Sequence, residues 1–279
     1  EDASAVPHFQ LDKNGQNVVV IMLDRAMGQY VPYILNEKPE LKEKFDGFTY
    51  YSNTVSFGSS TNFAISSLVG GYEYTPVEMN KRDNELLADK HNEALKVMPV
   101  LFSENGYDVT VCDPSYANYS WIPDLSIYDD YPEINTYITK GKFGDEQQKQ
   151  HSIDANCRNF FCFSLMKCMP LVAQPTIYCN GNYRIAYAAG ETNYSNQSLF
   201  GLSKAKGYGR GFMEAYDSLT NLQTMTTISE NNKNTFLFIA NEMTHDTNLL
   251  QTPNYTPAYE VDNTQYDAEH KDRFTVNGM

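Results

Sequence analysis

Asn17-Val18-Val19-Val20-Ile21-Met22-Leu23-Asp24 is an apolar run that ends in a carboxylate. Further along comes Val55-Ser56-Phe57-Gly58-Ser59-Ser60-Thr61-Asn62-Phe63-Ala64. The first stretch reads as a buried parallel strand that delivers an acid at its C-terminal end. The second reads as a glycine turn followed by hydroxyl side chains at the start of a helix. A carboxylate at a strand end beside a hydroxyl at a helix N-terminus suits a metal-activated alkoxide that attacks an anion.

Outward from this pair, the spacing predicts helix and loop over 30–46 and a second strand over Phe48–Asn53. A helix is predicted from Thr61 to Leu68, closed by Gly70-Gly71. Residues 92–104 have helical spacing and end at Asn105-Gly106. Tyr107–Asp113 reads as a strand that again ends in an acid. Residues 212–229 read as a helix and Thr235–Ala240 as a further buried strand. The alternation predicts an α/β fold, a mostly parallel central sheet with helices on both faces. Residues 114–210 are rich in Tyr, Asn and Gly and read as an insertion over the C-terminal edge of the sheet. Within it, Phe160–Tyr178 is too apolar for a surface loop. It reads as a short core helix, with a membrane-interface element as the alternative.

The composition narrows the function classes. The 279 residues carry 35 acids against 21 Lys and Arg, a formal charge of −14. Non-specific nucleic-acid binding needs a basic face and is not expected. An anionic substrate remains compatible, because one divalent cation reverses the sign of a small site. No apolar run reaches the ~18 residues of a membrane span. Four of the five cysteines, Cys157, Cys162, Cys168 and Cys179, cluster at gaps that fit no common zinc module. Local disulfides and free thiols are both open.

Asp24 is costly to bury at the end of an apolar strand unless a cation or hydrogen-bond donors compensate it. A helix N-cap is the alternative role. The Thr61 hydroxyl is a weak nucleophile that coordination to a divalent metal would activate. Plain capping by Ser59, Ser60 and Thr61 is the alternative. Near the end, Phe236–Ala240 runs into Asn241-Glu242-Met243-Thr244-His245-Asp246. There His245 could bind a metal or contact the substrate anion.

Together and in this order, these motifs resemble the alkaline phosphatase–sulfatase superfamily. The closer likeness is to its membrane-anchored phosphotransferase branch: lipoteichoic acid synthases, phosphoglycerol transferases and phosphoethanolamine transferases. There an N-V-I-x-I-x-x-E/D strand supplies a metal carboxylate, and Asn17 to Asp24 matches it. An F-S/D-N strand, a glycine and a threonine supply the nucleophile, matched by Phe48–Asn53 and Gly58–Thr61. A strand ending in T-x-H or S-H supplies a histidine, matched by Thr244-His245; Gly106–Thr110 and an aromatic loop residue, Trp121, also fit.

The resemblance implies an alkaline phosphatase-like fold and a phosphothreonine at Thr61. It implies a divalent metal on Asp24 and Thr61, zinc or manganese, with magnesium or calcium as further candidates. His245 and Trp121 would contact the substrate, a phospholipid headgroup or an anionic cell-envelope polymer. Residues 1–16 would be a linker from an upstream membrane anchor, and 17–279 an incomplete catalytic domain on the extracytoplasmic side of a bacterial membrane. Family members end their metal site with a strand carrying Asp-His, which is not found before Met279; the chain thus reads as truncated at its C-terminus. Sulfatases need C/S-x-P-x-R, which Ser59–Phe63 does not supply. Lipoteichoic acid synthases place Arg two residues after the loop Trp, where Pro123 stands here. A sulfate or phosphate ester hydrolase and a catalytically degenerate binding domain are the alternative functions.

Overall fold

Two short strands open the chain, Phe9–Asp12 (β1) and Asn17–Leu23 (β2). The computed structural model describes residues 7–144, 146–178, 203–206, 210–245, 248–258 and 260–270. After β2 come helices Val31–Glu37 (α1), Leu41–Lys44 (α2), Thr61–Gly70 (α3), Pro76–Met79 (α4) and Leu87–Glu104 (α5). Strands Asp108–Cys112 (β3) and Ile134–Tyr137 (β4) follow. Next are Glu146–Cys168 (α6), Gln174–Tyr178 (α7), Lys204–Lys206 (β5), Arg210–Thr220 (α8) and Leu222–Met225 (α9). Thr226–Ser229 (β6), Thr235–Asn241 (β7), Glu260–Asp262 (β8) and Thr264–Glu269 (α10) complete the described elements.

Two compact units result, Glu1–Lys142 with Ser218–Glu242, and Phe143–Asp217 with Met243–Met279. The first is mixed α/β. Its four-stranded sheet is parallel throughout, in the order β2-β7-β3-β4. A second parallel pair, β1 with β6, belongs to the same unit. In the second unit β5 and β8 form an antiparallel pair. Among the described residues no helix is long and apolar enough to cross a membrane.

The core lies between the sheet and α3 and α5. Ile65, Val69 and Leu95 from the helices meet Val109, Val111, Phe236 and Phe238 from the strands. Each such side chain contributes about 1.5–3 kcal/mol on full burial. Ser66 on α3 and His91 on α5 add a buried polar tie, Oγ to Nδ1 at 2.8 Å. The other ring nitrogen faces the Ser115 carbonyl at 3.2 Å. Burial holds His91 below its ordinary pKa. The neutral ring therefore donates from Nε2 and accepts from Ser66.

Asn17 explains the polar start of the apolar run. Its Oδ1 accepts from the Asp12 amide and from the Thr235 hydroxyl, each at 2.8 Å. Its Nδ2 donates to the Asp12 carbonyl at 2.8 Å. One side chain thus fixes β2 against both β1 and β7. Asp12 is buried, which alone raises its pKa. The Asn14, Gly15 and Asn231 amides and the Ser229 hydroxyl outweigh this and bring it to about 2.

Several expectations need correction. β2 is parallel as expected but not buried; it lies at one end of the described sheet order, and β7 is the strand buried along its whole length. Val18, Val20 and Met22 face the core, whereas Val19, Ile21 and Leu23 are 37–47% exposed. Among the described residues, β2 thus has one face on the core and the other half-exposed. Phe48–Asn53 is not a strand but irregular chain. The helix expected over 212–229 is divided into α8, ending at Thr220, and α9, ending at Met225, and its last residues form β6 against β1. Strand β1 falls inside the 1–16 segment read as linker, with Phe9 buried. Strand β4 falls inside the 114–210 segment read as insertion. Phe160–Tyr178 is not a core helix: Phe160, Phe161, Leu171 and Val172 are all exposed. Cys112, Cys157, Cys162 and Cys168 are free thiols, and Cys179 lies outside the described residues.

Candidate active site at the carboxyl end of the sheet

In a parallel sheet every strand delivers its last residue to the same edge. Leu23 pairs with Asn241, Cys112 with Ile239, and Cys112 with Tyr137. Asp24, Glu242, Asp113 and the Thr139-Lys140 pair therefore all follow strand ends at one edge. Arg25 and Asp113 adopt left-handed backbone, with φ of 61° and 50°. Beside the two carboxylates the chain thus turns sharply out of the sheet.

Asp24 is 9% exposed, and its amide donates to the Asn241 carbonyl at 2.9 Å. The Thr61 hydroxyl donates to Asp24 Oδ1 at 2.7 Å. These residues are 37 positions apart in sequence. Thr61 is the first residue of α3, and Ser60, the N-cap, has extended backbone and makes no side-chain cap bond. The hydroxyl turns to the strand carboxylate, and no Ser60 side chain caps the helix. Gly58 makes the approach feasible. A Cβ there would lie 2.6 Å from the Phe63 Cβ and 3.1 Å from its backbone carbon. The turn closes directly onto the first turn of α3 and admits no side chain. At the far end α3 stops at Gly71, whose φ of 84° suits glycine.

Trp121 lies in the loop after β3, exposed, with its ring edge against Tyr116. The Lys140 ammonium sits over the indole at 5.4 Å from the ring centre. Lys140 also pairs with Glu242 at 2.6 Å, with both side chains partly exposed. This aromatic–cation–carboxylate group was not foreseen beyond Trp121 itself. Asp113 was also passed over, although it carries the same signature as Asp24, an apolar strand ending in an acid. Burial raises its pKa to about 6. The Thr139 hydroxyl, the Thr139 and Lys140 amides and the Lys140 charge pull the other way. The Thr139 amide donates to Asp113 Oδ1 at 2.9 Å, and the Thr139 hydroxyl to Oδ2.

His245, the fourth expected site residue, is half-buried in a turn just beyond β7 and belongs to the second unit. The geometry brings Asp24 and Thr61 into contact and gives Trp121 a separate partner in Lys140. Asp24 and Thr61 offer two oxygen donors, which suits one side of a hard divalent cation's shell. Among the described residues no group of three or more His, Cys, Asp or Glu side chains converges. Comparisons with family models, with curated proteins and with solved structures returned no match for this chain.

Proposed function

We propose that the chain is a phosphotransferase or phosphodiester hydrolase domain of alkaline phosphatase-like type, in which Thr61 is the nucleophile. The observation that carries this reading is the 2.7 Å hydrogen bond from the Thr61 hydroxyl to Asp24. Two motifs distant in sequence meet at the edge where open α/β sheets bind ligands. The start of α3 adds a partial positive charge for an incoming anion.

In this mechanism the Thr61 oxygen attacks the phosphorus of a phosphodiester, and the bond from phosphorus to the leaving alcohol's oxygen breaks. Asp24 orients the hydroxyl and takes up its proton, which passes to the departing alkoxide. Water or an acceptor alcohol then attacks the phosphothreonine, and its proton returns to the Thr61 oxygen. Asp24 and Thr61 would hold a divalent cation, zinc or manganese, with magnesium or calcium as further candidates. When bound, it supplies charge that lowers the hydroxyl's pKa. Trp121 and Lys140 suit the binding of an anionic headgroup with an apolar body, such as a phospholipid or a cell-envelope polymer at the outer face of a membrane.

The test is turnover of an aryl phosphodiester by the chain with each of the four cations, beside Thr61→Ala and Thr61→Ser. Loss of about 10³-fold or more in Thr61→Ala, with partial activity in Thr61→Ser, is the expected result. Full activity in Thr61→Ala, or no turnover by the unmodified chain with any of these cations, overturns the assignment.

A further inference from the structure

We propose that the α6–α7 segment is a docking surface for an anionic lipid bilayer. This inference rests on the segment alone and is independent of the reaction proposed above. Helix α6 exposes the wrong side chains for a water-facing helix. Asn159, Cys162 and Met166 form its partly covered stripe. Phe160 is 76% exposed and Phe161 67%, and Phe163 and Leu165 are exposed as well. At ~100° per residue, Phe163, Phe160, Phe161 and Leu165 span an arc of roughly 200°. The turn after the helix adds Leu171 and Val172, at 82% and 89% exposure. Its Ala173 amide donates to the Pro170 carbonyl at 2.8 Å, and the Gln174 side chain to the Met169 carbonyl at 3.1 Å.

The charge pattern identifies the occupant. The chain as a whole is strongly acidic, yet no Asp or Glu occurs between Asp154 and Glu191. Arg158 and Lys167 are the charged residues of the described part of that stretch. Arg158 falls just beyond one border of the apolar arc and Lys167 near the other. The Lys167 ammonium lies over the Phe163 ring at 5.1 Å, and its side chain is exposed. Exposed aromatic side chains with a basic residue at either border can lie in the headgroup region of an anionic bilayer, the ammonium and guanidinium heads reaching the phosphates. An arc this wide exceeds the stripe that a helix presents to a protein groove.

The test is co-sedimentation of the chain with phosphatidylcholine vesicles, with and without phosphatidylglycerol. Phe160→Ser/Phe161→Ser and Arg158→Gln/Lys167→Gln are compared with the unmodified chain. Far-UV circular dichroism verifies that each variant is folded. Binding to the phosphatidylglycerol vesicles is expected, weaker by about tenfold or more in the phenylalanine variant. The basic variant should lose about fivefold per charge removed. A Phe161→Trp chain should show a blue-shifted emission increment with the same vesicles. Absence of vesicle binding overturns the proposal, as does equal binding with and without phosphatidylglycerol or an unchanged phenylalanine variant. Self-association in ultracentrifugation that disappears in Phe160→Ser/Phe161→Ser, without vesicle binding, would assign the surface to a second copy instead.

Discussion

Replacing Asp113 by Asn removes a carboxyl group that burial holds at a pKa of about 6, against an ordinary value of 3.8. The folded chain keeps this proton to higher pH than the unfolded chain does. Between pH ~4 and ~6 it therefore binds more protons than the unfolded chain, and its stability falls as pH rises. The contribution is fully present below pH ~4 and fully lost above ~6. A shift of about two units corresponds to about 3 kcal/mol. His91 tilts the curve the other way, because its burial in the neutral form costs stability as pH falls below 6.5. The readout is therefore the difference between the unmodified chain and Asp113→Asn. Asparagine can still accept from Thr139 through its amide oxygen. Denaturant unfolding followed by circular dichroism at half-unit steps from pH 4 to 8 gives the two profiles. The variant should gain about 3 kcal/mol relative to the unmodified chain across this range. Parallel profiles would refute the claim that burial raises the pKa of Asp113.

His91→Ala should cost about 3 kcal/mol in the same unfolding assay, because it opens a cavity and leaves Ser66 and the Ser115 carbonyl without their partner. A loss below ~1 kcal/mol would show that this tie does not hold α3 on α5. Gly58→Ala should push the first turn of α3 away from the sheet, lowering phosphodiester turnover about 10²-fold, with a stability loss of about 1–3 kcal/mol. Unchanged turnover in that variant would mean that the position of Thr61 does not matter. Lys140→Ala should raise KM about tenfold with kcat little changed, and should cost under ~1 kcal/mol because its ion pair is partly exposed. A kcat defect without a KM change would instead place Lys140 at the reacting atoms.

The strands β2, β3 and β7 were legible because each is a short apolar run bounded by turn residues. Of the acids that follow them, only Asp24 was singled out as a site residue, although a parallel sheet collects all of them at one edge. Periodicity cannot supply strand order, so the place of β2 at one end of the described sheet order was hidden in a run that reads as buried. Phe48–Asn53 looked like a strand by composition. Its aromatic residues are exposed, however, and the Tyr50 hydroxyl reaches the Gly28 carbonyl at 2.9 Å. Strand propensity without a neighbouring ladder leaves such a segment irregular. The run Thr226-Thr227-Ile228-Ser229 was absorbed into the preceding helix, although its β-branched residues favour the strand it forms against β1. The pairing of Lys140 with Glu242 was not foreseen because it crosses 102 positions and neither residue carries a local motif. Apolar composition over 160–178 was read first as burial, but composition alone does not say whether protein or another apolar medium covers a helix.

The account stands on Thr61 as the atom that takes up the phosphoryl group from its place beside Asp24. Acid-quenched intact-mass and fragmentation spectrometry of the chain during turnover of a phosphodiester tests this directly. A phosphoryl-ester adduct located on Thr61, and absent in Thr61→Ala, is the predicted result. An adduct on another residue, or turnover with no adduct and undiminished in Thr61→Ala, would contradict it.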